Sequence, residues 1–366
     1  MTHFPVLVCL PADTDLPDLE FQLSEVLERW NENRAVPEYR AFIDGGPESF
    51  WWVQHVRAAA ERHHQGRAER IRTQNPLDAL AITAHDPKTD PAQSDTARDA
   101  AWAAELGSRP NWEQVVRVYN DRFHPYDGTS ELDLAGKGAL FYDAETGTAF
   151  QYSTANPEGR WDWWVIGGRW SGYFIARGPA AGLIWGRSDH KEEGTAIGDG
   201  LLRCDGGPIG GLDLAVMRDR GEEAARKRYQ RWAAIQAACP PAKGWAHFAG
   251  LVHVGVATID EARTEYNGQP AIAAANESGL TGWFDPCPIE EFLAGDDEYA
   301  SAARSAAVPG YALVTLEKEW LAPGEMGWFG HSTDGPGERD AYQVQVNQYL
   351  DQLDPAVLVV AIDCHV

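Results

Sequence analysis

The sequence contains no C-x-x-C pair. Its five cysteines (Cys9, Cys204, Cys239, Cys287 and Cys364) are scattered and odd in number, which argues against a disulfide framework and against a zinc ribbon. Basic side chains are also scarce, 31 against 55 acidic ones, for a net charge of −24. A sequence-independent grip on nucleic acid works by neutralising phosphates with Lys and Arg, so direct nucleic-acid binding is not expected. Anionic membrane surfaces are disfavoured for the same reason. No apolar run reaches membrane-spanning length. The opening run at 4–10 is short, is interrupted by Pro5 and lacks the basic flank of a signal peptide. The expected compartment is therefore the cytoplasm. Three nucleotide and hydrolase signatures are missing as well: G-x-x-x-x-G-K-[ST], H-E-x-x-H and G-x-S-x-G. The string GGPIGG at 206–211 lacks the strand–helix setting of a dinucleotide site.

What is present is a globular composition, 44% hydrophobic and 11% aromatic over 366 residues, enough to bury a substantial core. Residues 6–10 read as a buried strand and 356–366 as a long apolar one. Residues 19–30 have helical spacing, with Phe21, Leu23, Val26, Leu27 and Trp30 on one face. Further helices are expected over 47–71, 102–119, 212–238 and 341–353, with Gly221 weakening or dividing the third. Short aromatic runs separated by turn residues over 139–174 suggest an antiparallel meander. Residues 245–257 and the pair 311–317 and 319–321 read as strands. Helical and strand runs do not alternate regularly, so the expected class is α+β, with a mostly antiparallel central sheet in which the first and last strands are neighbours. The chain reads as a single domain, 1–366, with loop-rich insertions at 75–110 and 175–210.

Residues 156–174, NPEGRWDWWVIGGRWSGYF, are the hardest to explain as ordinary core. Trp161, Trp163, Trp164 and Trp170 are four of the fifteen tryptophans and fall within ten positions. Each buried indole N–H needs an acceptor, so a core seldom gathers so many together. Gly167 and Gly168 permit a positive-φ turn, and Arg169 follows, able to stack on an aromatic plane and to present its fork to a carboxylate or phosphate. If 161–166 is one strand, Trp161, Trp163 and Val165 share a face, while Asp162, Trp164 and Ile166 share the other. Asp162 is then partly buried and needs a partner, for which Arg169 or an indole N–H is available. Two readings stand: a structural Arg–Asp pair under a tryptophan lid, or a site for a ring-containing or anionic ligand. The expected compromise is an Arg169 that is partly buried, pairs with a carboxylate and shows one edge to a pocket.

Four strings occur in order along the chain: THFPVLV at the start, the central N-P-x-x-x-W-D-W-W-x-I-G-G-R-W-S-G, the later APGEMGWFG, and DCHV at the end. As a set they are specific. The chain resembles a family of uncharacterised bacteriophage and bacterial proteins that open with a similar SHF-x-VLV and close with a similar D-x-H strand. The resemblance implies an architecture and a phage-like context, and no activity.

Two further constellations complete the candidate list. PGEMGWFGH at 323–331 displays Glu325, Trp328 and His331 on a glycine-rich loop, where Glu325 with Asp162 would supply the carboxylate pair of acid/base hydrolysis. The plain alternative is a β-turn with an aromatic plug. At the termini, Asp363 and His365 are two apart and share a strand face, and His3 joins them if the end strands pair. That set of two histidines and one carboxylate is of the sort that binds a divalent metal, the one cofactor expected. Histidines satisfied by hydrogen bonds at a chain end are the alternative. The functional expectation is a small-molecule enzyme or binding protein, hydrolysing or transferring on a nucleotide or sugar-like ligand. Asp162, Glu325 and His331 would be its catalytic residues, and Trp161, Trp163, Arg169, Trp170 and Trp328 would line one concave site. The competing expectation is a non-enzymatic acidic accessory protein that binds a basic host or defence protein.

Overall fold

The computed structural model describes residues 2–73, 91–124, 138–179, 181–188, 201–281, 289–327 and 331–366. In chain order its strands are β1 (His3–Leu10), β2 (Tyr39–Phe42), β3 (Phe141–Asp143), β4 (Thr148–Ser153), β5 (Trp163–Gly168), β6 (Phe174–Ile175), β7 (Arg187–Ser188), β8 (Arg203–Cys204), β9 (Gly206–Pro208), β10 (Ala312–Val314), β11 (Trp320–Leu321) and β12 (Leu358–His365). The helices are α1 (Leu19–Leu27), α2 (Trp51–Thr73), α3 (Pro91–Leu106), α4 (Trp112–Phe123), α5 (Leu214–Ala238), α6 (Trp245–His253), α7 (Ile259–Asn267), α8 (Pro270–Glu277), α9 (Asp296–Ala306) and α10 (Pro336–Gln352). The class is α+β.

Two compact units divide the chain, Met1–Arg34 with Asn156–Val366, and Ala35–Ala155. The second unit interrupts the first, and is a longer excursion than the insertion at 75–110 expected from composition. It packs α2 and α4 over the small sheet β2-β4-β3 through Trp52, Val53, Val56, Trp112, Val115 and Leu140. Within the expected loop-rich insertion at 75–110, residues 91–106 form helix α3, and 75–90 lie outside the described residues.

The first unit is built on a sheet ordered β11-β10-β1-β12-β5-β7, with β9 also paired to β12. The first and last strands are neighbours, antiparallel from His3↔His365 to Leu10↔Leu358, and closed at the end by Thr2 N–H to Val366 O (3.1 Å) and Val366 N–H to Thr2 O (3.0 Å). The sheet is mixed and not mostly antiparallel, because β1 runs parallel to β10 and β5 parallel to β7. Both faces of β1 and β12 are covered, which explains why each reads as an unbroken apolar run. On one face Phe4, Val6, Val8, Val360, Ile362 and Cys364 meet α1 and Trp30. On the other, Leu7, Cys9, Val359 and Ala361 meet α5 and α10 through Leu214, Met217, Tyr342 and Val346. Alternation along the strands carries His3, Asp363 and His365 onto this second face, at its open end. The buried thiols serve as small apolar groups, and burial pushes Cys9 up to about 12 and Cys204 up to about 11.

Residues 245–253 form a helix where a strand was expected. Trp245, Phe248 and Val252 recur at helical spacing and pack into a separate cluster with Trp232, Tyr266, Ile272 and Phe292. An apolar run of this length is compatible with either period, and the partner helices decide it.

Helix α5 passes through Gly221 without a break. The glycine marks a close crossing with α9: a Cβ there would lie 2.8 Å from the Ala307 Cβ and 3.0 Å from the Ala303 carbonyl oxygen. In an exposed helix Gly→Ala stabilises by about 1 kcal/mol. Here backbone must give way, and overpacking costs about 1–3 kcal/mol. Gly221→Ala is therefore expected to lower the urea midpoint at unchanged m-value, and a raised midpoint would mean that the crossing is looser than described.

Candidate functional site: paired histidine–aspartate dyads

Register alone aligns the site. His3 stands opposite His365, and His365 opposite Trp163, so the three residues align across β1, β12 and β5. Among the rings His3 is the shared neighbour, 5.0 Å from His365 and edge-on (75°), and 6.0 Å from Trp163.

Each imidazole is backed by a carboxylate. His3 Nδ1 lies 2.9 Å from Asp363 Oδ1, and His365 Nδ1 lies 2.6 Å from Asp162 Oδ1. An ionised carboxylate can only accept, so each Nδ1 donates and each Nε2 remains as the second, unprotonated nitrogen of a neutral ring. The imidazoles are mostly covered, with side chains 15% and 13% exposed. Asp363 itself is fully buried. Its second oxygen, Oδ2, accepts the Arg169 backbone N–H at 3.0 Å. That contact explains the glycine pair. Gly168 has φ +54°, and a Cβ at this position would sit 2.5 Å from Asp363 Oδ2, so only glycine lets the turn close over the carboxylate.

A second buried carboxylate performs a related task nearby in the sheet. Asp205, 1% exposed, accepts the Gly172 N–H at 2.5 Å and the Gly186 N–H at 2.7 Å, and its carbonyl accepts from Ala361. It ties both loops that flank β5 to β12. Its position between Cys204 and a glycine pair was the only sequence signal for it.

The sequence-predicted residues distribute as follows. His3, Asp363, His365, Asp162 and Trp163 come together. Trp161 does not share a face with Trp163: the strand begins at Trp163, and the bend at Asp162 turns Trp161 into the opposite core beside Trp30 and Ile166. Its indole Nε1 has no hydrogen-bond partner among the described residues. The same bend brings Asp162 to the histidine face, so its partner is His365 and not Arg169. Arg169 is exposed. The backbone of Arg169, and not its guanidinium, meets a carboxylate, which corrects the expectation of a partly buried Arg–Asp pair. Trp170 is half-buried in the turn that follows.

The 323–331 block does lie against the tryptophan block, through an ion pair between Arg160 and Glu325 (3.2 Å). Glu325 is 69% exposed in that pair, while Asp162 pairs with His365. His331 is exposed, and its carbonyl accepts from Gly327. Trp328 lies outside the described residues. Among the described residues no group of three or more His, Cys, Asp or Glu side chains is arranged to hold a metal ion. His3 and His365 lie side by side but are held by different carboxylates, His365 by Asp162, and His3 by Asp363, which also accepts the Arg169 N–H.

Comparison with protein-family models, curated proteins and solved structures returned no match. No helix among the described residues is long and apolar enough to cross a membrane.

The two roles of Asp363 and Arg169 separate by mutation. Asp363→Ala leaves the Arg169 N–H and His3 Nδ1 without an acceptor, at about 1–3 kcal/mol for each buried group left unpaired. Arg169→Ala removes only an exposed side chain, for a change within about 0.5 kcal/mol. Chemical denaturation of the two variants measures this difference, and equal losses would place the Arg169 side chain in the fold's support.

Proposed function

We propose that the chain is an acid–base enzyme acting on a small phosphate ester, by hydrolysis or by transfer to a hydroxyl, with His3 and His365 as the proton-transferring pair. The observation that carries this reading is the juxtaposition of two imidazoles, each held at Nδ1 by its own carboxylate, with ring centres 5.0 Å apart. A displacement at phosphorus needs two proton transfers at one centre. One imidazole Nε2 takes the proton of the attacking water or hydroxyl as the new P–O bond forms. The other, protonated, gives its proton to the leaving oxygen as the old P–O bond breaks. The second turnover starts once the two protonation states are exchanged through solvent. Asp363 and Asp162 orient the rings and stabilise each imidazolium as it forms.

Trp163 and Arg169 favour an anionic, ring-bearing ligand. Trp163 is 44% exposed beside the pair. The Arg169 guanidinium leaves the backbone one hydrogen bond from the carboxylate that holds His3. The net charge of −24 opposes a polyanion, which meets the field of the whole surface. Beyond about 8–10 Å that field is screened at physiological salt, so a single phosphate group responds chiefly to the local guanidinium.

Turnover of a chromogenic phosphodiester, bis(4-nitrophenyl) phosphate, tests the reading. His3→Asn and His365→Asn keep a donor where Nδ1 stood and remove Nε2, so melting temperature should hold while kcat falls by about 10²–10⁴-fold. The wild-type pH–rate profile should be bell-shaped, and each variant should lose one limb. Wild-type protein without turnover, or variants that keep the full rate, would overturn the assignment and leave the histidines as caps on the chain ends.

A further inference from the structure

A cavity of about 340 Å³ opens on the other side of His3 from His365. It is bounded by the start of β1, by Gly310 and Tyr311 leading into β10, by Pro323, Met326 and Ser332, and by the first turns of α10. Its walls mix polar and apolar surface in about equal share, with the apolar part supplied by Phe4, Tyr311, Met326 and Tyr342 among others. Both tyrosine hydroxyls are already engaged, Tyr311 with Ser332 Oγ at 2.7 Å and Tyr342 with the Gly310 carbonyl at 3.1 Å. The rings are therefore fixed in place, and what they offer to the cavity is surface.

The polar groups at the rim are of a different kind. Arg339 is anchored through Nε to Asp334 Oδ2 at 2.8 Å, and the Asp334 side chain is 1% exposed. The Arg339 guanidinium holds that carboxyl below its usual range, so the anchor stays charged at neutral pH. The terminal nitrogens of Arg339 have no hydrogen-bond partner among the described residues, and the side chain is 55% exposed. Gln343, one helical turn along α10, adds an amide with both a donor and an acceptor. Aromatic rings beside an anchored guanidinium and an amide suit a heterocyclic base, whose edge alternates carbonyl acceptors with amino donors. The volume falls in the range of small-ligand sites, near its lower end.

We infer that this cavity seats the base of a nucleoside phosphate, with Arg339 and Gln343 reading the base edge and His3 standing at the phosphate. The inference rests on the acid–base reading for the position of the phosphate, and it makes His3 the imidazole on the nucleoside side of phosphorus. His365 then serves the oxygen on the far side of phosphorus. The acidic surface is consistent with a mononucleotide, since one phosphate and one base fill the site.

Calorimetric titration of the full chain tests this with three probes: guanosine monophosphate, ribose 5-phosphate and inorganic phosphate. The expected result is guanosine monophosphate binding at least tenfold tighter than ribose 5-phosphate. Gln343→Trp fills the slot from a half-buried helix position, and should erase that tenfold advantage while leaving ribose 5-phosphate binding and melting temperature unchanged. Met326→Trp fills it from the opposite wall and should do the same. Equal binding of guanosine monophosphate and ribose 5-phosphate to the wild-type protein, or an advantage that survives both fillings, overturns the inference. The two readings fail separately. Base-dependent binding lost on filling, in a protein that turns over no phosphodiester, would keep the base slot and remove the acid–base role. Turnover lost in His3→Asn and His365→Asn, with no preference for the base, would do the reverse.

Discussion

A single buried carboxylate, Asp363, holds the two ends of the chain and the glycine turn in one arrangement. Its side chain is fully removed from solvent on the central strand β12, and a charge in that position is tolerable only if both oxygens find donors. One donor comes from the N-terminal strand through His3 Nδ1, the other from the Arg169 amide at the end of β5. The carboxylate therefore fixes three segments far apart in sequence. It also demands glycine at 168, because any side chain there would occupy the space of Oδ2. The aromatic row of His3, His365 and Trp163 follows from this strand alignment and not from any local motif.

The same logic extends along β12. Asp205 presents two more accepting oxygens to the amides of Gly172 and Gly186, and so binds the irregular segments on either side of β5 to the sheet. Loop geometry in this half of the unit is imposed by buried acids reaching for backbone N–H groups. A site resting on such contacts is pre-organised, since hydrogen bonds made to a charged acceptor are about twice as strong as neutral ones. In the proposed reaction the same groups have two sides: Nδ1 of each histidine supports the fold, and Nε2 would carry the proton.

Much of the skeleton was legible from the sequence. The apolar runs at 6–10 and 356–366 are buried on both faces, and neighbouring end strands followed from that. The D-x-H spacing put Asp363 and His365 on one face, as the structure has them. Other features were not legible because they depend on partners. The 245–253 run fits a strand or a helix, and Trp232 and Tyr266 decide for the helix. Gly221 looked like a weak point in α5, but it is a close crossing with α9. The bend at Asp162 reverses the expected faces of Trp161 and Asp162, and with them the expected Arg169–Asp162 pair. Asp205 was marked only by its position between Cys204 and a glycine pair, because its role arises from contacts with distant segments.

The central claim is that both histidines donate through Nδ1 to a carboxylate and keep Nε2 for proton transfer. Long-range ¹H–¹⁵N correlation spectra of the imidazoles report which nitrogen carries the proton in each neutral ring. With His3→Asn and His365→Asn as assignment controls, the account predicts that both rings are in the Nδ1–H form. It also predicts that Asp363→Asn shifts the His3 signals, and Asp162→Asn those of His365. Neutral rings protonated at Nε2, with signals unmoved by either aspartate substitution, would contradict the dyads and the chemistry built on them.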